Sequence, residues 1–530
     1  SCYNYAANAA MVRLGRKLNY DVTIFEQRAE KIKNAVNAIL WQEDKGVFAE
    51  YIDTIGNKLL HPAPELSTIY LASESGIASN EQMARSLEYT EKSIRSTITF
   101  NRKGRLAYSS NWLPKKYSTF GLFPAENAAL ALAYFKYFRK EAALQILDGL
   151  LDVFASSPSP GAISHVSTAN GNCDNGDWDF TDVSSPYLRL LVEGLWGVNF
   201  RLLSDEIFIA PQLPDKWNSA ALELPDLKID YKQNSGRITL QINCTHAGIK
   251  HIILPGNISD LEFSDKSVCV KKSDCAGVEL TEIIWQNSGS ITVEYTGKTY
   301  STRPELLTGI PRRKAAPPVP EQFENIDCNE YFNVELAKLF EQKYLAPRPE
   351  GYSIGMRING RYAWEWNHYG HNEVVVNDSA LRNAPGGVYK LDKSRWSFPT
   401  PAAGNNAACV SIWENFPESM SIALEGKARE LALFIFGSTN AMQSCVVNGR
   451  ITVQYADGSA EVCDLIEQEN FDDLMVTAFQ QQFERFYWDR GNHGIVVRIK
   501  LDPAKTLKNC TVQAVANEVI IGVLGGALIR

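Results

Sequence analysis

From Tyr3 to Phe200 the apolar positions recur at helical spacing, and beyond Phe200 that period stops. Ala6, Ala9, Ala10, Leu14 and Leu18 predict one helix, and Phe25, Ala29, Ile32, Val36, Ile39 and Leu40 a second. The spacing predicts four more over 66–75, 83–98, 125–138 and 142–154. A seventh follows Asp182, where Tyr187, Leu190, Leu191, Leu195 and Trp196 share one stripe and Asp182 or Ser184 supplies an N-cap. Short links near 19–21, 76–80 and 139–140 alternate with long ones over 41–65, 99–124 and 156–181. Antiparallel helical hairpins with short turns at one end place every long connection at the other. Long ordered loops in a compact domain usually carry function.

After Phe200 the pattern becomes short apolar runs between turn residues, at 207–210, 221–224, 227–231, 236–243, 250–254, 268–271, 283–286 and 290–295. These predict a β-sandwich over 206–300. Residues 301–320, with PRRKAAPPVP, read as a linker. In 321–530 a short helical piece over 331–344 precedes β-rich runs at 430–436, 443–455 and 494–501. Hairpin turns are expected at Asn448–Gly449 and Asp457–Gly458. The expected fold is multidomain, α then β: a helical domain over 1–205, the sandwich, the linker, and a second sandwich of jelly-roll or galactose-binding kind.

With 530 residues the chain can bury several cores. A net charge of −8 offers no basic footprint, which argues against a nucleic-acid partner. No apolar run is long enough to span a bilayer; the run after Val519 is short, carries glycines and reads as a last strand. The ten cysteines are scattered without a CxxC, which argues against structural zinc and suits buried thiols. Neither a cofactor nor a metal is called for. Ser1 stands directly against a helical pattern, so an upstream part, signal peptide included, is expected outside this chain.

The unusual polar residues fall on the long links. Tyr51, His61 and Glu65 lie on the first; Tyr108, Asn111, Trp112 and, just beyond, Glu126 on the second. The third holds His165, Asp174, Asp177, Trp178, Asp179 and Asp182. The bland alternative is that Glu65 and Glu126, following Pro64 and Pro124, are first-turn acids complementing a helix dipole. The aspartates would then be helix-starting acids on a solvated or cation-binding loop. In the last domain Trp364, Trp366, His368, Tyr369, His371, Trp396, Trp413, Tyr487, Trp488 and His493 read as sandwich core, with a sugar-stacking platform as the functional alternative. His368 and His371 with Glu373 are a weak metal signal.

The order of longer strings carries a resemblance. SCYNYAANAAMVRLGRKLNY, RAEKIKNAVNAILWQEDKGVFAEYID, HPAPELSTIYLASESG, STFGLFPAENAALALAYF and DWDFTDVSSPYLRLLVEGLWGV resemble helical pairs of six-hairpin, (α/α)6-barrel glycosidases, and IAPQLPDKW is similar to the join into the β-domain behind such barrels. The whole chain, FGSTNAMQSCVVNGRITVQYADG included, resembles the C-terminal part of large bacterial proteins whose barrel is similar to that of the α-L-rhamnosidases. The helices predicted are fewer than such a barrel needs, so the resemblance implies half a barrel over 1–205. The missing N-terminal half, from the same protein or a separate chain, becomes an expected partner and would hold the proton donor.

The resemblance implies a periplasmic or secreted glycoside hydrolase acting on an oligosaccharide or polysaccharide of plant or host origin. It would be inverting, with a carboxylate acid/base pair. It points to the loop before the last inner helix for the general base, leaving Asp174, Asp177, Asp179 and Asp182 open. The expected catalytic set is Asp177, Asp179, Asp182 and Glu126; the expected substrate-binding set is Glu65, Trp112, Trp178, His165, His61 and Tyr108. Two other readings stay in view. One is a non-catalytic carbohydrate-binding protein with a degenerate barrel. The other is a polysaccharide lyase, for which Tyr108, His61 or His165 would serve as base.

Overall fold

The computed structural model describes the chain except residues 55, 113–119, 158–166, 169–180, 299–303, 310–317, 319–321, 342–356, 359–360, 363–375, 392–394, 413–415, 440–442, 468, 475–483 and 518. The protein mixes helices with strands in several sheets. It divides into two compact units: residues 1–49, 64–110 and 121–309, and residues 50–63, 111–120 and 310–530.

The first unit begins with α1 (Cys2–Lys17), α2 (Thr23–Ile39), α3 (Leu66–Ser75), α4 (Asn80–Ser93), α5 (Pro124–Lys136), α6 (Lys140–Ala155) and α7 (Ser184–Arg189), the last continuing as a π-helical turn, Leu190–Leu195. Local chemistry sets their ends. A capping box opens α4: the Gln82 amide donates to Ser79 Oγ at 3.1 Å and the Ser79 amide to Gln82 Oε1 at 2.9 Å. Gly76, with φ of 72°, closes α3. Pro124 occupies the first turn of α5, where its missing N–H costs nothing. Leu130, Ala131, Leu132, Ala133, Tyr134 and Phe135 of α5 are all buried, so it is the central helix.

The fourth helix ends earlier than its apolar spacing predicts. Ile94, Thr97 and Ile98 are β-branched, and Ser96–Ile98 pairs with Arg105–Ala107 instead. The fully buried Arg105 locks this hairpin, donating to Ser96 Oγ at 2.9 Å, the Thr90 carbonyl at 3.0 Å and the Tyr134 hydroxyl at 3.1 Å. The hairpin lies so close to α6 that a Cβ on Gly149 would stand 2.3 Å from the Arg105 carbonyl oxygen. Residues 304–309 run along the same place: the Ser96 amide donates to the Leu307 carbonyl at 2.8 Å, so part of the expected linker is docked backbone.

Two five-stranded sheets complete this unit. One has the order Asn257–Phe263, Gly289–Lys298, Arg237–Cys244, Leu227–Asn234, Ser219–Leu224; the other Cys269–Cys275, Val278–Trp285, Ile249–Pro255, Glu206–Ile209, Asn199–Arg201. Register places Ile229 opposite Ile242 and Ile242 opposite Ile291, all buried on one face. Asn199–Arg201 and Asn257–Phe263 escape sequence reading because both are edge strands without alternating apolar residues. In the second, Asp260 at φ of 51° interrupts the pairing.

In the second unit a four-stranded sheet (Ser419–Ala423, Leu507–Ala514, Val447–Tyr455, Ala460–Ile466) accompanies a six-stranded one built on Ile520–Ile529 and Glu430–Ser438. Every residue of Ile520–Ile529 is buried, because Ile521, Val523 and Leu528 pack into one core and Ile520, Leu524, Ala527 and Ile529 into another. Its glycines make room for rings: a Cβ on Gly522 would meet Phe436 Cζ at 2.0 Å. Cys328, Cys409 and Cys510 are buried thiols.

Asn448–Gly449 is not a hairpin turn. The pair lies inside Val447–Tyr455 at a register shift, with Asn448 fully buried and accepting from Thr439 Oγ1 at 3.0 Å. Asp457–Gly458 does turn, with Gly458 at φ of 86°. The helical piece expected over 331–344 appears as 3-10 turns at Asn329–Tyr331 and Leu336–Glu341. Trp396 and Trp488 are core residues, whereas Tyr487 is exposed. Trp364, Trp366, His368, Tyr369, His371, Glu373 and Trp413 lie outside the described residues.

Candidate functional site

The helix starts that follow the long links come together in the first unit. Glu65 is the N-cap of α3 in extended conformation, and Glu126 lies in the first turn of α5. Tyr70, on α3, lies within electrostatic reach of both. Burial raises its phenol pKa most, and the charges of Glu126, Tyr3, Glu74 and Glu65 raise it further. At the other end Lys136 of α5 donates to the carbonyl of Ser73 on α3, so the two helices run parallel with their acidic starts together. Gly194, in the π-helical turn, packs against Phe135 and Leu132 of α5, and the 3-10 turn Thr181–Val183 also packs on α5.

The strand ending near residue 110 fixes these starts. The Ala107 amide donates to Asn127 Oδ1 at 2.7 Å and Asn127 Nδ2 returns a bond to the Ala107 carbonyl at 3.0 Å, with Asn127 fully buried. The Ser109 carbonyl accepts from the first amide of α3, that of Leu66, at 2.7 Å, while the Ser109 amide donates to the Gly121 carbonyl at 2.8 Å. One short stretch thus caps α3 and clamps α5, which holds Glu65 and Glu126 in register.

Glu74 pairs with Arg189 Nη1 at 2.9 Å, and Arg189 also grips Glu193 through Nε at 2.9 Å and Nη2 at 3.1 Å. These carboxylates hold the Arg189 guanidinium firmly charged. A half-buried phenol ringed by carboxylates stays protonated and donates hydrogen bonds; it does not serve as a base near neutral pH. Tyr108 is likewise raised by burial, with Arg95 pulling the other way.

The remaining sequence candidates are distributed unevenly. Asp182 is exposed in the turn against α5. His61 and Trp112 belong to the second unit and are buried there. His61 stacks on Tyr51 at 3.9 Å between centroids and sets Nε2 3.3 Å from Asp53 Oδ1. Trp112 Nε1 donates to the Ala63 carbonyl at 3.0 Å. Both are therefore tied into the interior. Asp174, Asp177, Trp178, Asp179 and His165 lie outside the described residues. Among the described residues no group of His, Cys, Asp and Glu is arranged to hold a metal ion, and no helix is long and apolar enough to cross a membrane.

Tyr70, Glu74, Arg189, Asn127 and Ser109 were not singled out in the sequence. Helical spacing puts Tyr70 and Glu74 on one face of a predicted helix, a signal that was present; the reach of Glu126 to Tyr70 depends on how α3 packs on α5.

No protein-family description matches the chain, and no curated protein matches it. Solved structures similar to it include an alpha-L-rhamnosidase from Dictyoglumus thermophilum, at 12% identity and a TM-score of 0.32, covering 55% of this chain and 30% of that enzyme. A GH127 beta-L-arabinofuranosidase from Geobacillus stearothermophilus matches at 10% identity and a TM-score of 0.24, covering 43% of this chain and 41% of that one. A beta-porphyranase of glycoside hydrolase family 86 from Bacteroides plebeius matches at 9% identity and a TM-score of 0.12, covering 58% and 38%. All three are glycosidases by name, the link is a distant one of fold, and the chain spans less than half the length of each.

Proposed function

We propose that this chain is part of a glycoside hydrolase, with residues 1–205 forming half of an (α/α)6 barrel. The observation that supports this reading is the gathering of Glu65, Glu126 and Tyr70 at the shared start of parallel helices α3 and α5. Glycoside hydrolysis needs one carboxyl group to protonate the leaving oxygen and another to activate water; in an inverting enzyme they stand about 6.5–9.5 Å apart. An aspartate of the 174–182 stretch, from Asp174, Asp177, Asp179 and Asp182, acts as base. Glu126 positions the water or the reacting sugar, Glu65 accepts from sugar hydroxyls, and protonated Tyr70 donates to them. A lyase fits this chemistry less well, since it needs a tyrosine or histidine base. Burial keeps Tyr108 protonated, and His61 is enclosed in the other unit.

The proton donor comes from helices outside this chain, in the same protein or a second one. A bare apolar stripe supports that partner: Tyr3, Met11, Leu14 and Leu18 of α1 and its C-cap are 73%, 44%, 43% and 54% exposed at helical spacing. Stripes of this kind are normally covered. Export to the periplasm or beyond the cell suits an oligosaccharide or polysaccharide substrate. The test is turnover of a neutral oligosaccharide panel by the protein with its partner helices. Glu126→Gln, Asp177→Asn and Asp179→Asn are each compared with the parent. Loss of about a hundredfold or more is expected in Glu126→Gln and in at least one aspartate variant while sugar binding persists. Near-normal turnover in all three removes this helix end from the chemistry.

A further inference from the structure

A cavity of about 350 Å³ opens in the first unit, where the start of α6 and residues 211–215 meet the sheet that contains Leu227–Asn234 and Gly289–Lys298. Its polar lining is Lys140, Gln212, Asp215, Tyr231, Gln233 and Tyr295. None of these belongs to the acidic helix starts.

Each polar group has a definite state. Lys140 is 3% exposed, and its ammonium is paired with Asp215, so the lining carries no net charge. Tyr231 is pushed up to about 12 by burial and then by the neighbouring Asp215, which keeps it a donor. It donates to Gln233 Oε1 at 2.5 Å, and the Gln233 amide nitrogen remains to donate. Burial, with Tyr231 beside it, likewise keeps Tyr295 protonated. Gln212 is 4% exposed and donates through Nε2 to the Phe135 carbonyl at 2.8 Å, yet its buried Oε1 receives no hydrogen bond. A buried amide oxygen in that condition is unfavourable unless a donor reaches it.

Two tyrosine rings, amide donors and acceptors, and a neutral ion pair surround a volume within the range of small-molecule sites. An anion finds no unpaired cation here and a cation no unpaired carboxylate, while an apolar molecule leaves the amides unmatched. We propose that this cavity binds a neutral polyhydroxylated ligand about one pyranose ring in size, its hydroxyls bonding the Gln233 amide and the Lys140–Asp215 pair and its ring lying against Tyr231 or Tyr295. The choice of a sugar among polyols rests on the reading of the chain as carbohydrate-active; the cavity chemistry does not.

Calorimetric titration of the full chain with rhamnose, galactose, glucose and xylose tests it. One saturable site is expected for at least one sugar. Binding should weaken about tenfold or more in Tyr231→Ala. It should be abolished in Ile258→Trp, which fills the cavity from its half-buried wall without touching the polar groups. A cooperative thermal transition in each shows that both variants fold. Absence of saturation by all four sugars, or saturable binding that survives Ile258→Trp in a folded protein, overturns the proposal. Binding lost in Glu126→Gln but kept in Ile258→Trp places the sugar at the helix starts instead, which overturns the cavity and spares the hydrolase reading. Binding at the cavity in a protein that never cleaves a glycoside does the reverse.

Discussion

Glu126 and Asp472 are both carboxylates inside a folded unit, and their surroundings differ. Asp472 is 1% exposed, ion-paired with Arg485, with His493 Nε2 at 3.3 Å. Next to it Asp473 accepts from the Thr439 amide at 3.1 Å. Burial is deep there and the compensation close. At the start of α5, Glu126 acts together with Glu65 on Tyr70, raising its phenol pKa, while Glu74 near the other end of α3 pairs with Arg189. A buried carboxylate matched by cations holds a fold in place. Acids that act in common on a half-buried phenol shift its titration, and perturbed groups of this kind cluster where ligands are handled.

Three measurements sharpen or break that contrast. The largest effect belongs to Asp472→Ala, which leaves the Arg485 guanidinium buried without its partner. A loss of about 3–5 kcal/mol is expected from urea denaturation. A loss under about 1 kcal/mol would mean that the cluster is not structural.

The second is an alkaline titration. Tyr70 is held protonated in the fold, above the ordinary phenol value of 10.0 that it regains on unfolding. The unfolded chain therefore releases its proton first as pH rises. The stability Tyr70 contributes is whole below about pH 10 and declines above it. Following tyrosinate absorbance against Tyr70→Phe, the Tyr70 transition should move to lower pH in Glu65→Gln and in Glu126→Gln, each of which removes a neighbouring charge. No movement in either variant would separate the acids from Tyr70.

The smallest effect is the stability of Glu126→Gln, expected within about 0.5 kcal/mol of the parent. Destabilisation of the size expected for Asp472→Ala would make Glu126 a structural acid and remove the contrast.

The β-regions of the first unit and the second divide in a related way. Alternating runs such as Leu227–Asn234 were readable because one face is buried and the other wet. Val447–Tyr455 was misread at Asn448–Gly449, because a dipeptide that favours a turn in isolation is here a buried bulge held by Thr439, Gln443 and Val446. Edge strands such as Asn257–Phe263 left little trace, since an exposed strand needs no apolar alternation.

By itself the sequence determined the seven helices of the first unit, apart from the end of the fourth, their alternation of short and long links, and most strands, since each follows from a local period or a local cap. It also marked Glu65 and Glu126, because proline and acid at a helix start are neighbours in the chain. Only the tertiary structure decided that those two acids share Tyr70, that Arg189 is taken up by Glu74 and Glu193, that His61 and Trp112 are enclosed in the second unit, and that Gln212 lines a cavity with an oxygen lacking a donor. The reason is distance along the chain. Periodicity and capping act over a few residues, whereas burial and charge act between residues that only packing brings together.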